Sequence, residues 1–141
     1  VIEPGLDIEL LWWDEDVNEL RIRASNGTFA GEARVYVRPD GLESFAATLD
    51  GFPRSVGDRR EIELGTFDPN MAGGGARALL WKRRATGPAD AEITLWAATV
   101  GRDQSVSMKL AFEPAAIDEF VRRLRSLTMR VGDGARLPAC G

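Results

Sequence analysis

From Ser105 to Leu127 the chain reads as a strand running straight into a helix, and no other stretch limits the possible folds as much. Val106, Met108, Leu110 and Phe112 alternate with Ser107, Lys109 and Ala111, which makes one face apolar with a period of two. Pro114 stands where a first-turn proline belongs, because its missing N–H is one that a helix leaves unpaired anyway. Ile117, Phe120, Val121, Leu124 and Leu127 follow at helical spacing as one apolar stripe. The pattern predicts a sheet strand feeding a helix that folds back over the sheet.

Leu6, Ile8 and Leu10 alternate with Asp7 and Glu9, a first strand with one wet face, and Trp12-Trp13 and Asp14-Glu15-Asp16 follow it. On a strand the two tryptophans point to opposite faces. Asn26-Gly27 is the strongest hairpin signal in the chain, since a type I′ turn needs positive φ at both central residues. Such a turn sets Ser25 opposite Thr28, Ile22 opposite Gly31, Arg21 opposite Glu32 and Glu19 opposite Arg34. Asp40 and Glu43 resemble a capping box. Leu42, Phe45, Ala46 and Leu49 then give a helical face that ends at Gly51, with Phe52 and Pro53 beyond it. Glu61-Ile62-Glu63-Leu64, Ala76 to Arg84 and Ala91 to Val100 read as further strands, and Gly101-Arg102-Asp103 turns the chain into the last one.

The expected fold is therefore α+β: a mostly antiparallel sheet of about seven strands, in the order β-β-β-α-β-β-β-β-α, with two helices packed on one face. Residues 1–131 form a single domain and residues 132–141 a flexible tail, given Gly134 and Pro138. No internal repeat, low-complexity tract or domain boundary stands out. A chain of 141 residues with 44% hydrophobic residues is large enough for a core without metals or disulfides.

Composition narrows function by exclusion. The single cysteine, Cys140, rules out an intramolecular disulfide and suits a reducing, cytoplasmic setting. No stretch approaches the roughly 18 apolar residues of a membrane span. The net charge is −4, with seven acids and no base in residues 1–20 and 18 bases against 15 acids beyond them. The sign and scatter of the charge argue against a nucleic-acid partner. There is no histidine, which removes the usual Ser-His-Asp and Cys-His systems and His-containing zinc sites. Asp14, Asp16 and Asn18 match the first ligand positions of a calcium loop, but Glu19 and Ser25 stand where glycine and glutamate are needed. Gly73-Gly74-Gly75 is not followed by Lys-Ser/Thr, so it reads as a loop between strands. Lys82-Arg83-Arg84 reads as a charged outer surface or an edge guard against sheet-to-sheet pairing. Asp118–Arg122 and Glu119–Arg123 are i,i+4 pairs on a wet helix face, each worth roughly 0.2–0.5 kcal/mol. No catalytic residue, cofactor or metal ligand is assigned.

The phrases Phe52-Pro53-Arg54-Ser55, Asp58-Arg59-Arg60-Glu61, Leu64-Gly65-Thr66-Phe67-Asp68-Pro69, Ala72-Gly73-Gly74-Gly75 and Ala116 to Leu124 are similar to those of small uncharacterised bacterial single-domain proteins. More distantly, the layout of antiparallel sheet, mid-chain helix and last strand leading into a terminal helix resembles WapI-type toxin-immunity proteins. That resemblance implies a cytosolic, non-enzymatic protein that neutralises a cognate toxin domain by direct contact, and it carries over no functional residue. The candidate partner-contacting residues are Trp12, Trp13, Asp14, Glu15, Asp16 and Trp81, because aromatic anchors beside steering charges are typical of protein contacts. Two alternatives stand beside this reading. One is a small-ligand site or carboxylate-dependent enzyme in a curled-sheet pocket, and the other is an oligomerising structural module.

Overall fold

Among the described residues, eight strands and two helices follow one another as β1 (Gly5–Trp13), β2 (Asn18–Ser25), β3 (Ala30–Val37), α1 (Gly41–Leu49), β4 (Arg59–Gly65), β5 (Gly75–Trp81), β6 (Ala89–Thr99), β7 (Arg102–Phe112), α2 (Pro114–Arg125) and β8 (Gly134–Pro138). The computed structural model describes residues 3–99 and 102–140, so the turn expected at Gly101 lies outside the described residues. The fold is α+β and every strand pairing is antiparallel. The strands number eight rather than seven, and they part into two four-stranded sheets ordered β3-β2-β1-β8 and β4-β5-β6-β7.

Period-two alternation decides what each strand buries. Leu6, Ile8 and Leu10, Leu20 and Ile22, and Ala33 and Val35 turn inward from the first sheet. Ile62 and Leu64, Ala78 and Leu80, Ile93 and Leu95, and Met108 and Leu110 turn inward from the second. The helices close onto these inner faces with their stripes, Leu42, Phe45, Ala46 and Leu49 in α1 and Ile117, Phe120, Val121 and Leu124 in α2. Phe45 and Phe120 meet edge to face, with ring centroids 5.9 Å apart at an interplanar angle of 71°. Gly51 ends α1 as expected, at φ 75°, with the Asp50 N–H donating to the Ala46 carbonyl and the following Phe52 buried.

The two halves of the chain have the same plan. Each runs three meandering strands, a helix and one more strand, and in each the last strand joins the other half's sheet. The register repeats as well. The row Leu137–Leu6–Ala24–Gly31 on one sheet corresponds to Leu64–Ala76–Leu95–Val106 on the other, and Ala135–Ile8–Ile22–Ala33 corresponds to Ile62–Ala78–Ile93–Met108. Pro39, Leu42, Phe45, Ala46 and Leu49 recur at identical spacing as Pro114, Ile117, Phe120, Val121 and Leu124. Gly31 lies against its own counterpart, Val106; a Cβ on Gly31 would sit 2.6 Å from Val106 Cγ1. A structural duplication is therefore present where no repeat was expected. It escapes a reading of identities because only the burial pattern repeats.

Several local expectations are corrected. The β2–β3 hairpin does not carry a type I′ turn, for no described non-glycine residue has positive φ and only Gly27, at 90°, does so in this loop. Instead, Asn26 Oδ1 accepts from the Thr28 and Phe29 N–H groups at 2.9 and 2.8 Å, closing a four-residue loop. The register moves by two residues, so Ser25 faces Ala30, Ile22 faces Ala33 and Arg23 rather than Arg21 faces Glu32. A slip of two leaves every side chain on its expected face, which is why the core expectation survives it. Asp40 makes no side-chain cap; its carboxylate pairs with Arg38 at 3.7 Å. Arg122 pairs with Glu119 one turn back, and Arg123 reaches Asp133 at 2.8 Å. The expected flexible tail is corrected too. Gly134–Pro138 is strand β8, paired with β1 from Gly5–Pro138 to Glu9–Gly134, and it buries Ala135 and Leu137. Lys82 is buried rather than part of a charged outer surface, with Nζ donating to the Gly87, Thr86 and Pro88 carbonyls at 2.8, 3.1 and 3.4 Å.

Candidate functional site

The end of β1 carries two adjacent exposed tryptophans. A bulge between Leu10 and Trp12 inserts one extra residue into the strand, and it sets Trp12 opposite Glu19 and Trp13 opposite Asn18. Trp12 and Trp13 remain 48% and 45% exposed. The strand end that carries them is fixed. The Gly132 N–H donates to the Leu10 carbonyl and the Leu10 N–H to the Asp133 carbonyl, both at 2.8 Å, so the chain after α2 runs along this end of β1. Trp13 Nε1 donates to the Met129 carbonyl at 2.8 Å. The same loop presents Met129 and Val131, 40% and 68% exposed. Its anchor is Asp133, whose carboxylate accepts from the Thr128 N–H and hydroxyl and from Arg123. Desolvation pushes the Asp133 carboxyl upward, but these donors and the Arg123 charge outweigh it and hold the group below its ordinary value.

The acidic turn next to the tryptophans is rigid for a local reason. Asp14 Oδ1 accepts from the Asp16 and Val17 N–H groups, both at 2.8 Å, and the Asp14 N–H donates to the Val17 carbonyl at 3.0 Å. Six of the seven acids of residues 1–20 fall into two sets. Asp7 pairs with Arg136 at 2.7 Å and Glu9 with Arg21 at 3.0 Å. Among the described residues Asp14, Glu15, Asp16 and Glu19 have no cationic partner. The calcium-like spacing of Asp14, Asp16 and Asn18 does not converge, since Asn18 is buried while the two aspartates are exposed.

Of the six sequence-derived candidates, the fold brings Trp12, Trp13, Asp14, Glu15 and Asp16 together and sets Trp81 apart. Trp81 pairs with Arg59 and Asp90 on the outer face of the second sheet and is half-buried there. Trp96 is buried, though outside the central core: Phe67, from the loop after β4, stacks on it at 6.2 Å, and Arg77 lies 4.6 Å from the Phe67 ring. Met129 and Val131 belong to the site but lie more than a hundred residues from Trp13 in sequence, and no local signal marks them.

Among the described residues no carboxylate is buried. Nor does any group of three or more histidine, cysteine, aspartate or glutamate side chains there converge on a metal-sized site. Burial, then the Glu113 carboxylate at 3.7 Å, pushes the Cys140 thiol up, away from the reactive thiolate. No described helix is long and apolar enough to cross a membrane.

Fold and site together define a small α+β domain of two interlocked antiparallel sheets with a rigid aromatic and acidic edge. Comparison with protein-family models, with curated proteins and with solved structures finds no match.

Proposed function

We propose that this chain is a non-enzymatic binding protein that holds a protein partner against the Trp12–Asp16 edge. One observation carries the reading. Two adjacent tryptophans are half exposed at a strand end held by backbone hydrogen bonds, and the Trp13 indole is locked by its own hydrogen bond, so little freedom is left for that side chain to lose on association. Large pre-organised aromatics of this kind are the usual energetic anchors of protein interfaces. The unpaired carboxylates of Asp14, Glu15, Asp16 and Glu19 beside them favour a partner with a basic rim, which they would steer and orient. The resemblance to toxin-immunity proteins makes a toxin domain the first partner class to test, in the cytoplasm.

A photo-crosslinking residue placed at Trp12, with a control at Glu92 on the outer face of the second sheet, tests this in native cells. The expected outcome is one dominant protein adduct from position 12 that is missing from position 92 and lost when Glu15 and Asp16 are both changed to lysine. Identical adduct patterns from the two positions would sink the proposal.

A further inference from the structure

The duplication places two equivalent seams in the molecule, one between β3 and β4 beside α1 and one between β7 and β8 beside α2. All four strands are sheet edges, so every second residue turns its N–H and C=O toward a seam. At the second seam the chain satisfies its own edges. The Ala111 carbonyl on β7 accepts from the Cys140 N–H at 2.8 Å, and the Gly134 carbonyl on β8 accepts from Arg123 Nε at 3.0 Å.

The first seam lacks both fillings. Tyr36 is the counterpart of Ala111, Glu61 of Gly134, and Thr48 of Arg123. The bonding pattern of each ladder gives the direction of the free groups. Lys82 N–H donates to the Asp58 carbonyl and Thr66 N–H to the Gly74 carbonyl, so the even-numbered residues of β4 bond β5 and Glu61 and Glu63 face the seam. The Arg34 carbonyl leaves β3 at its outer edge to accept from Gly74 N–H, so Tyr36, two residues on, faces the seam as well. Among the described residues no hydrogen bond reaches the main-chain groups of Tyr36, Glu61 or Glu63 from outside their own ladders, and the Thr48 hydroxyl is turned to the Ser44 carbonyl at 2.9 Å. What remains is an open groove of about 440 Å³ floored by Phe45, Ile62 and Leu64 and edged by Asp40, Glu61 and Glu63, with the Arg38 guanidinium on its rim and that of Arg60, paired with Asp58 at 2.9 Å, at its α1 side, where it donates to the Thr48 and Asp50 carbonyls at 2.8 and 3.1 Å. Arg77, on β5, meets Glu61 at 3.7 Å and Glu63 at 3.1 Å, each through one carboxylate oxygen, and the rim stays net acidic.

We propose that this seam binds an extended segment of a partner protein, added as a strand on the β4 edge, with basic side chains alternating with apolar ones. Main-chain bonds to Glu61 and Glu63 supply affinity, the apolar floor takes every second side chain, and the carboxylate rim selects basic residues at the others. A second copy of this chain does not suit the seam, because edge-to-edge pairing would set Glu61 and Glu63 against themselves. This site is separate from the tryptophan edge, and either can fail without the other.

The probe is an N-acetylated, C-amidated hexapeptide of alternating lysine and valine, titrated into the uniformly 15N-labelled full chain, with the glutamate–valine hexapeptide as control. In the free protein the Glu61 and Glu63 amides are expected to exchange with solvent faster than those of Ile62 and Leu64. The lysine peptide is expected to shift the Glu61, Glu63 and Tyr36 amides and to slow exchange at the first two. Glu63→Pro removes an edge donor without touching the β5 ladder, and Thr48→Arg supplies the filling that Arg123 gives the other seam. Each is expected to weaken binding about tenfold or more. If Glu63→Pro does not fold, Thr48→Arg, an exposed helix position, carries the test alone. Slow exchange at Glu61 and Glu63 in the free protein, no shifts at millimolar peptide, equal binding of the two peptides, undiminished binding by Thr48→Arg, or a dimer dispersed by Glu63→Pro would each overturn the proposal.

Discussion

Asn18 is 1% exposed, and neither its amide nitrogen nor its amide oxygen has a hydrogen-bond partner among the described residues. An unpaired buried amide loses its hydration for nothing, at about 1–3 kcal/mol. Asn18→Leu, which keeps the branched heavy-atom shape and removes both polar atoms, is expected to raise stability in urea unfolding by about 1 kcal/mol or more. Lys82 is the opposite case. Its buried ammonium is satisfied by three carbonyls of the β5–β6 turn, so Lys82→Met is expected to cost roughly 1.5–3 kcal/mol in the same measurement. Asp58 adds a pH-dependent contribution. The Arg60 side chain, then the Arg54 N–H, hold its carboxyl below the ordinary value. Its folded pKa is thus lower than its unfolded one. The stability it contributes is present in full above the unfolded value, about 3.9, and drains away as pH falls through the folded one. Asp58→Asn is expected to destabilise the protein at pH 7, with the gap from wild type closing as pH drops below about 4 in pH-resolved unfolding curves.

At the level of elements, the helix pair and β8 decide whether the halves hold together. Phe120 is buried and meets Phe45 at the junction of the two helices, so Phe120→Ala is expected to cost about 3–5 kcal/mol in chemical denaturation. Arg125 ties α2 to α1 through Glu43 at 3.3 Å and Asp50 at 3.1 Å, yet these are exposed pairs on the surface of the junction. Exposed pairs contribute little, and Arg125→Ala should change stability by less than about 1 kcal/mol. Strand β8 is short, but it pairs with β1 and covers Leu6 and Ile8 with Leu137 and Ala135. Ending the chain after Asp133 is expected to speed amide exchange at Leu6 and Ile8, whose partners are lost, more than at Ile93, deep in the other sheet. Both helices and seven of the eight strands are legible as patterns of apolar spacing along the chain, because a period of 2 or 3.6 is written locally. Strand β8 is not: with Gly134 and Pro138 at its ends and only Ala135 and Leu137 to bury, it is a strand because β1 offers it an edge.

For the whole molecule, the interlocking of the halves has a thermodynamic consequence. Strand β4 belongs to the second half's sheet and β8 to the first half's, so neither half can unfold and leave the other's sheet complete. Unfolding followed by tryptophan fluorescence and by far-ultraviolet circular dichroism should therefore give coincident transitions, and separated midpoints would contradict the interlock. The amino-acid sequence by itself determined the faces: which residues of each strand and helix turn inward, the α+β class, and the placing of five of six candidate contact residues at one strand end and the turn that follows it. Those features depend on neighbours a few positions apart, where alternation and spacing act directly. Tertiary structure alone decided the partition into two sheets, the hairpin register, the pairing of β1 with β8, the burial of Lys82 and Trp96, and the arrival of Met129 and Val131 beside Trp13. Each of these is a choice between partners distant in sequence. A strand slipped by two residues, or a tail docked elsewhere, keeps the same local pattern, and only the free energy of the fully packed chain separates them.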